Sequence, residues 1–206
     1  MKKKEQIKQI IRDFHINDNF DVKTRALQPP IDTKKIITLI GVRRCGKTSI
    51  LYDMINQLSL NTEKTKILFL NFEDERLELE LDELDLVLQS FSELYPKQDL
   101  KGCYFFFDEI QNITGWEKFV RRIYDSISKN IFITGSNSKL LSSEIATSLR
   151  GRTLSYEVYP LSFSEYLSFK DIEVDLYSSK SLAHIKNAQE SFLKNGAFPE
   201  TLFLEE

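Results

Sequence analysis

The apolar run Ile36-Ile37-Thr38-Leu39-Ile40 leads directly into Gly41-Val42-Arg43-Arg44-Cys45-Gly46-Lys47-Thr48, a complete GxxxxGK[ST] string, and Ser49 opens a stretch with helical spacing. Few local patterns restrict a fold so tightly. A strand that runs through such a loop into a helix builds a cradle of backbone N–H groups, with glycines where the chain must turn or approach closely. The lysine then reaches the β- and γ-phosphates of a nucleoside triphosphate, and the threonine hydroxyl is placed for Mg²⁺. Gly41, Val42, Arg43, Arg44, Cys45, Gly46, Lys47, Thr48 and Ser49 are therefore the candidate nucleotide-binding residues. Lys47 is also a candidate catalytic group, and Thr48 a candidate metal ligand.

The 206 residues suit one ordinary domain or one domain plus a fragment, and a hydrophobic fraction of 41% supplies one sizeable core. A net charge of −3 gives no bulk basic footprint of the kind that announces nucleic-acid binding. Cys45 and Cys103 make neither a disulfide framework nor a metal spacing, and His15 and His184 stand alone, so a reducing cytoplasm is the simplest setting. Met1-Lys2-Lys3-Lys4 is basic, but the apolar stretch of a signal peptide does not follow it. No run approaches a membrane span.

Ile7, Ile10, Ile11 and Phe14 fall at i, i+3, i+4 and i+7, which predicts an amphipathic N-terminal helix ending near Asn17-Asp18-Asn19 and packing on the main domain. Gln28-Pro29-Pro30 forces an extended connection into a first strand over 35–40. Ile50, Leu51, Met54, Ile55 and Leu58 mark the helix after the loop, and Lys66 to Phe72 reads as a second, almost uniformly apolar strand. Such strands belong in a sheet covered on both faces. The acidic stretch 73–85, with Arg76 its one basic residue, reads as a solvated surface. Glu73 and Asp74 at its start lie where a strand exit faces ligand.

Cys103-Tyr104-Phe105-Phe106-Phe107-Asp108-Glu109 is the second decisive string, a buried aromatic strand delivering two consecutive carboxylates. Successive strand residues point to opposite sides, so the two acids have different aims. Asp108 is the candidate Mg²⁺ ligand, and Glu109 the candidate catalytic base that orients and deprotonates water. Trp116, Phe119, Val120, Ile123 and Ile127 then mark a helix, and Asn130 to Thr134 a fourth strand ending in Gly135-Ser136-Asn137. Ser136 and Asn137 are candidates for sensing the γ-phosphate, with ordinary turn chemistry as the alternative. A helix from about Leu140 to Arg150 stops at Gly151, and 153–159 alternates as a fifth strand.

This order of elements resembles the P-loop ATPases in which an extra strand separates the Walker A loop from the Walker B acids, and within them the AAA+ superfamily. The strings GVRRCGKTS, LNFEDERL, FFFDEIQNITGWE, ITGSNSKLLSSE, LRGR, YPLSFSEYL and GAFPE are similar to those of prokaryotic AAA+ ATP-binding proteins. The resemblance implies a three-layer α/β sandwich with a central, mainly parallel five-stranded sheet at 31–160, an N-terminal helix and linker at 1–30, and a partial helical lid at 161–206. It implies ATP and Mg²⁺ as ligands. It also gives Arg150 and Arg152 the place of an arginine finger, which would reach the nucleotide of a neighbouring subunit in a homo-oligomer. Read without the family, Arg150 complements its own helix end and Arg152 pairs with a surface acid.

No arginine follows Arg152, so a lid-borne sensor arginine is not expected. Proteins of this group commonly continue into a restriction-endonuclease-like domain, and the chain resembles the ATPase portion of something longer. A DNA or protein partner would then act through that further domain. Two function classes follow. One is a Mg²⁺-dependent ATPase using Glu109. The other is a nucleotide-gated switch or adaptor that binds ATP with negligible hydrolysis. A small-molecule kinase has no use for the paired Asp108-Glu109, and a GTPase is disfavoured because no NKxD-like string occurs.

Overall fold

Alternation along the strands decides the architecture. The computed structural model describes residues 2–16, 19–136 and 147–203. In chain order its main elements are α1 (Lys2–Ile16), β1 (Ile36–Gly41), α2 (Lys47–Ser59), β2 (Ile67–Asn71), α3 (Asp85–Leu94), β3 (Tyr104–Asp108), α4 (Trp116–Ser126), β4 (Ile131–Ser136), β5 (Thr153–Val158), α5 (Phe163–Phe169) and α6 (Ser179–Asn195). The strands form one sheet in the order β2-β3-β4-β1-β5, and every pair is parallel. Phe105 and Phe107 of β3 enter one core, with Ile131 and Ile133 of β4, while Phe106 enters the other and stacks on Phe132 with ring centroids 4.5 Å apart. Helices α1, α3 and α4 cover the first face, and α2 covers the second. This is the doubly covered parallel sheet that continuous apolar strands require. Each fully buried phenylalanine contributes roughly 1.5–3 kcal/mol.

The N-terminal helix is part of this body. Ile7, Ile10 and Ile11 are buried in the first core, and Phe14 crosses to the second, stacking on Phe69 at 5.3 Å. The end of α1 also covers the start of the edge strand β2. There the His15 Nε2–H donates to the Ile67 carbonyl at 2.8 Å, and Nδ1 accepts from the Tyr95 hydroxyl. Burial pushes the His15 pKa down, in keeping with this neutral ring. The other edge strand, β5, is largely exposed apart from Val158, so it does not share the two-sided burial of β1 to β4.

The sequence boundaries hold to within a residue or two at the strands: the first runs 36–41 rather than 35–40. The acidic stretch 73–85 is mostly a surface, but its interleaved Leu77, Leu79 and Leu84 are buried in the first core. Most of the helix expected over 140–150 lies outside the described residues. Beyond β5, α5 and α6 make a small third cluster of Tyr166, Leu167 and Ala188 with Phe163 and Phe192. Among the described residues, no helix is long and apolar enough to cross a membrane.

Candidate active site

Two glycines shape the loop at the end of β1 for different reasons. A Cβ on Gly41 would lie 2.2 Å from the Val158 carbonyl oxygen and 2.7 Å from Cys45 Sγ, so the pairing of β1 with β5 leaves no room for a side chain. Gly46 has φ +99°, a left-handed conformation that glycine adopts without strain. Arg44, at φ 65°, is also left-handed. Left-handed residues within a turn aim successive N–H groups into one concavity, which attracts anions. Gly46 has no side chain to cap α2, so the N–H groups of that helix's first turn are left to the loop and whatever it binds.

Lys47 opens α2 and is 3% exposed. Its Nζ donates to the Gly41 and Val42 carbonyls at 3.2 Å each and lies 3.0 Å from Glu109 Oε1. The Thr48 hydroxyl donates to Asp108 Oδ2 at 2.8 Å. The loop on β1 and the acids on β3 thus meet, although β4 lies between their strands. Thr134 on β4 makes the junction. Its hydroxyl donates to Asp108 Oδ1 at 2.5 Å and accepts the Glu109 N–H at 2.9 Å. Glu109 leaves the strand at φ 51°, a conformation rare outside glycine. That backbone turn, more than simple strand alternation, separates the aims of the two acids.

Burial pushes the Asp108 carboxyl up, against the opposing hydrogen bonds from Thr134 and Thr48. Burial also pushes Glu109 up, but the amide of Gln111, the ammonium of Lys47 and the hydroxyl of Ser136 together outweigh it and hold this carboxyl below its ordinary value. Ser136 donates to Glu109 Oε2 at 3.0 Å, and Gln111 Nε2 donates to the same oxygen at 2.5 Å. Gln111 and Thr134 were not singled out from sequence. The signals were present, a polar residue inside the apolar run of β4 and an amide two residues past the acid pair.

Arg25 is the residue that sequence reasoning missed most completely. It is 7% exposed and sits in the connector before β1. Its Nη1 donates to the Cys45 carbonyl at 2.8 Å, its Nη2 to the Tyr159 carbonyl at 3.0 Å, and its Nε to Glu165 Oε1 at 2.7 Å. Glu165 of α5 also accepts the Ala26 N–H and closes a capping box with Ser162. Burial pushes the Glu165 carboxyl up, but Arg25 and the backbone N–H groups of Ser162 and Ala26 hold it down to about 2. The Ser-x-x-Glu spacing announces the cap, but nothing local announces the arginine.

The other sequence candidates are placed as follows. Arg43 and Arg44 point outward and pair with Glu73 at 3.1 Å and Glu200 at 3.3 Å. Cys45 is buried, and Ser49 is half-buried in the first turn of α2. Asp74 pairs with Arg76 at 2.7 Å. Arg150 and Arg152 lie beside the start of β1, where Ile36 N–H donates to the Arg152 carbonyl, so the length of the strand separates them from their own loop. Arg152 is engaged with Asp125 at 3.0 and 3.1 Å, and Arg150 is exposed at φ 52°. Asn137 lies outside the described residues.

The sheet order and this loop agree with a comparison against known families. The family model of an AAA domain matches residues 33–167. The chain belongs to the AAA domain family. It is an α/β P-loop domain of the AAA+ type, a class of nucleotide-binding ATPases. An uncharacterized protein of Methanocaldococcus jannaschii is 42% identical over 97% of this chain and 45% of its own length. A second, from Haemophilus influenzae, is 37% identical over 85% of this chain and 42% of its own length. The chain thus spans less than half the length of these relatives. Among solved structures, PCH-2 of C. elegans shares the fold at a TM-score of 0.50 and 16% identity, over 97% of this chain and 58% of that one.

Proposed function

We propose that this chain binds ATP at Gly41–Ser49 and hydrolyses it in a Mg²⁺-dependent reaction. One observation carries the reading. Lys47 lies 3.0 Å from Glu109 and Thr48 2.8 Å from Asp108, so groups suited to binding phosphate, holding a metal and activating water meet at one loop. Lys47 moves its charge from Glu109 to the β- and γ-phosphate oxygens. Thr48 and Asp108 offer one hydroxyl and one carboxylate, the sparse protein share that Mg²⁺ takes when phosphates and water complete its shell. Bound there, the metal offsets phosphate charge. Glu109 orients a water and takes its proton as the water oxygen bonds the γ-phosphorus. The bond to the bridging oxygen breaks, and ADP and phosphate leave.

Ser136 supports a sensing role, because it already donates to Glu109 at the exit of β4. Asn137 is the alternative sensor. Arg150 or Arg152 would act only in trans, in a homo-oligomer, since each sits at the strand end remote from its own loop. That remoteness favours a second reading, in which the chain alone is a nucleotide-gated switch that binds ATP with negligible turnover. The switch would control a DNA or protein partner or a further domain, restriction-endonuclease-like in the related group, in a cytoplasmic setting.

The test is phosphate release from Mg-ATP by wild type and Glu109→Gln across a protein concentration series, with bound nucleotide quantified in the same samples. Turnover that needs Glu109 and rises faster than concentration supports an assembling ATPase. Tight binding without turnover at any concentration supports the switch. A wild type that binds no Mg-ATP would sink both.

A further inference from the structure

The Arg25–Glu165 pair, buried at its arginine end, has no part in the chemistry proposed above, yet that end is bonded to the phosphate loop. Arg25 spends its three nitrogens on three separate segments: the Cys45 carbonyl in the loop, the Tyr159 carbonyl past β5, and the Glu165 carboxylate on α5. A charge held at 7% exposure in this way is costly to bury and is tolerated only with its partners in place. The Cys45 carbonyl belongs to the same planar, trans peptide unit as the Gly46 N–H, so the two point in opposite directions. Whatever draws the carbonyl toward Arg25 turns the amide away from it. Gly46 is left-handed and is the N-cap of α2, the place where a turn of this kind gathers its N–H groups into an anion-binding concavity.

We propose that Arg25 is a positioning residue that fixes the Cys45–Gly46 peptide so that the Gly46 N–H faces the phosphates, and that Glu165 makes this orientation depend on the docking of α5. The inference rests on Gly41–Ser49 being the phosphate site. It adds a route by which the C-terminal helices and phosphate affinity are linked, with no residue of α5 touching phosphate. Linkage of this kind is reciprocal: phosphate binding steadies α5 to the same degree that α5 favours phosphate binding. Lysine cannot replace Arg25 fully, because one ammonium on a flexible stem does not reproduce a planar fork bonded on three sides.

The probes are inorganic pyrophosphate with Mg²⁺, which has no base or ribose, and Mg-ADP. Both are titrated into wild type, Arg25→Lys and Glu165→Gln well below each variant's melting temperature. Arg25→Lys is expected to weaken both probes by the same factor, about tenfold, as loss of a charge-assisted hydrogen bond that orients a donor. Glu165→Gln, which keeps the side-chain volume, is expected to weaken both severalfold. The protein has seven glycines, so glycine-selective ¹⁵N labelling resolves Gly46. Its amide resonance should move in both variants while those of Gly102 and Gly115 stay fixed. Lowered melting temperatures with unchanged pyrophosphate affinity and an unmoved Gly46 signal would reduce the pair to a fold-stabilising contact. If Arg25→Lys does not fold, Glu165→Gln alone decides the matter. A wild type that binds neither probe overturns the ATP site itself, whereas normal wild-type binding with unaffected variants overturns only the role of Arg25.

Discussion

The two ends of the parallel sheet use charge in opposite ways. At the carboxyl ends of β1, β3 and β4, Lys47, Asp108 and Glu109 are 3%, 1% and 6% exposed, each tied to the others or to a hydroxyl. At the amino end, Arg152 lies on Asp125 and near the Tyr124 ring, with side chains still in contact with water. Distances in the two places are alike, close to 3 Å. Their worth is not, because water screens the exposed pair and the buried groups depend on one another. An ion pair seen in a fold therefore says little until the burial of both partners is known.

The sharpest way to break this comparison is Lys47→Ala. Mg-ATP should no longer raise the melting temperature, and stabilisation equal to wild type would show that the buried cluster is not the phosphate site. Next, Glu109→Gln should cut turnover roughly a hundredfold through loss of a positioned base. The same change removes a negative charge 3.0 Å from Lys47, so ATP binding should hold or tighten. Turnover and binding falling together would instead make Glu109 structural.

A smaller effect is expected in the pH dependence of folding. Glu165 is held at about 2, below its ordinary 4.5. Between these values the unfolded chain binds more protons than the folded one, so stability rises with pH there. The contribution is fully present above about pH 5 and is lost progressively as pH falls toward 2. Melting midpoints across that range should fall more steeply for wild type than for Glu165→Gln, and parallel curves would refute the pairing. The smallest effect belongs to the exposed end. Arg152→Ala should leave the melting temperature close to wild type, and turnover should change only under conditions where subunits associate. A monomer whose turnover needs Arg152 would contradict action in trans.

The sheet and its loop were legible in the sequence because their signals are local. Gly41 to Thr48 and Cys103 to Glu109 announce themselves by spacing and by the apolar runs in front of them. Helix α1 was legible from its period, but its passage from one core to the other through Phe14 was not, since that depends on where the edge of β2 lies. Arg25 was invisible for the same kind of reason. Its three partners stand at 45, 159 and 165, so the fold alone brings them to it. Thr134 reads as one polar residue in a strand, and becomes a junction only once β4 is known to lie between β1 and β3.

That central place of β4 gives the molecule a single point of failure. Side chains alternate along a strand, so a one-residue slip of β4 would carry Thr134 to the opposite face and uncouple Asp108 from the Glu109 backbone in one step. Phe132, sealed against Phe106, would be expelled from its core by the same slip. The aromatic stack thus acts as an alignment pin, and a lesion there would silence the proposed chemistry without touching any residue assigned to it.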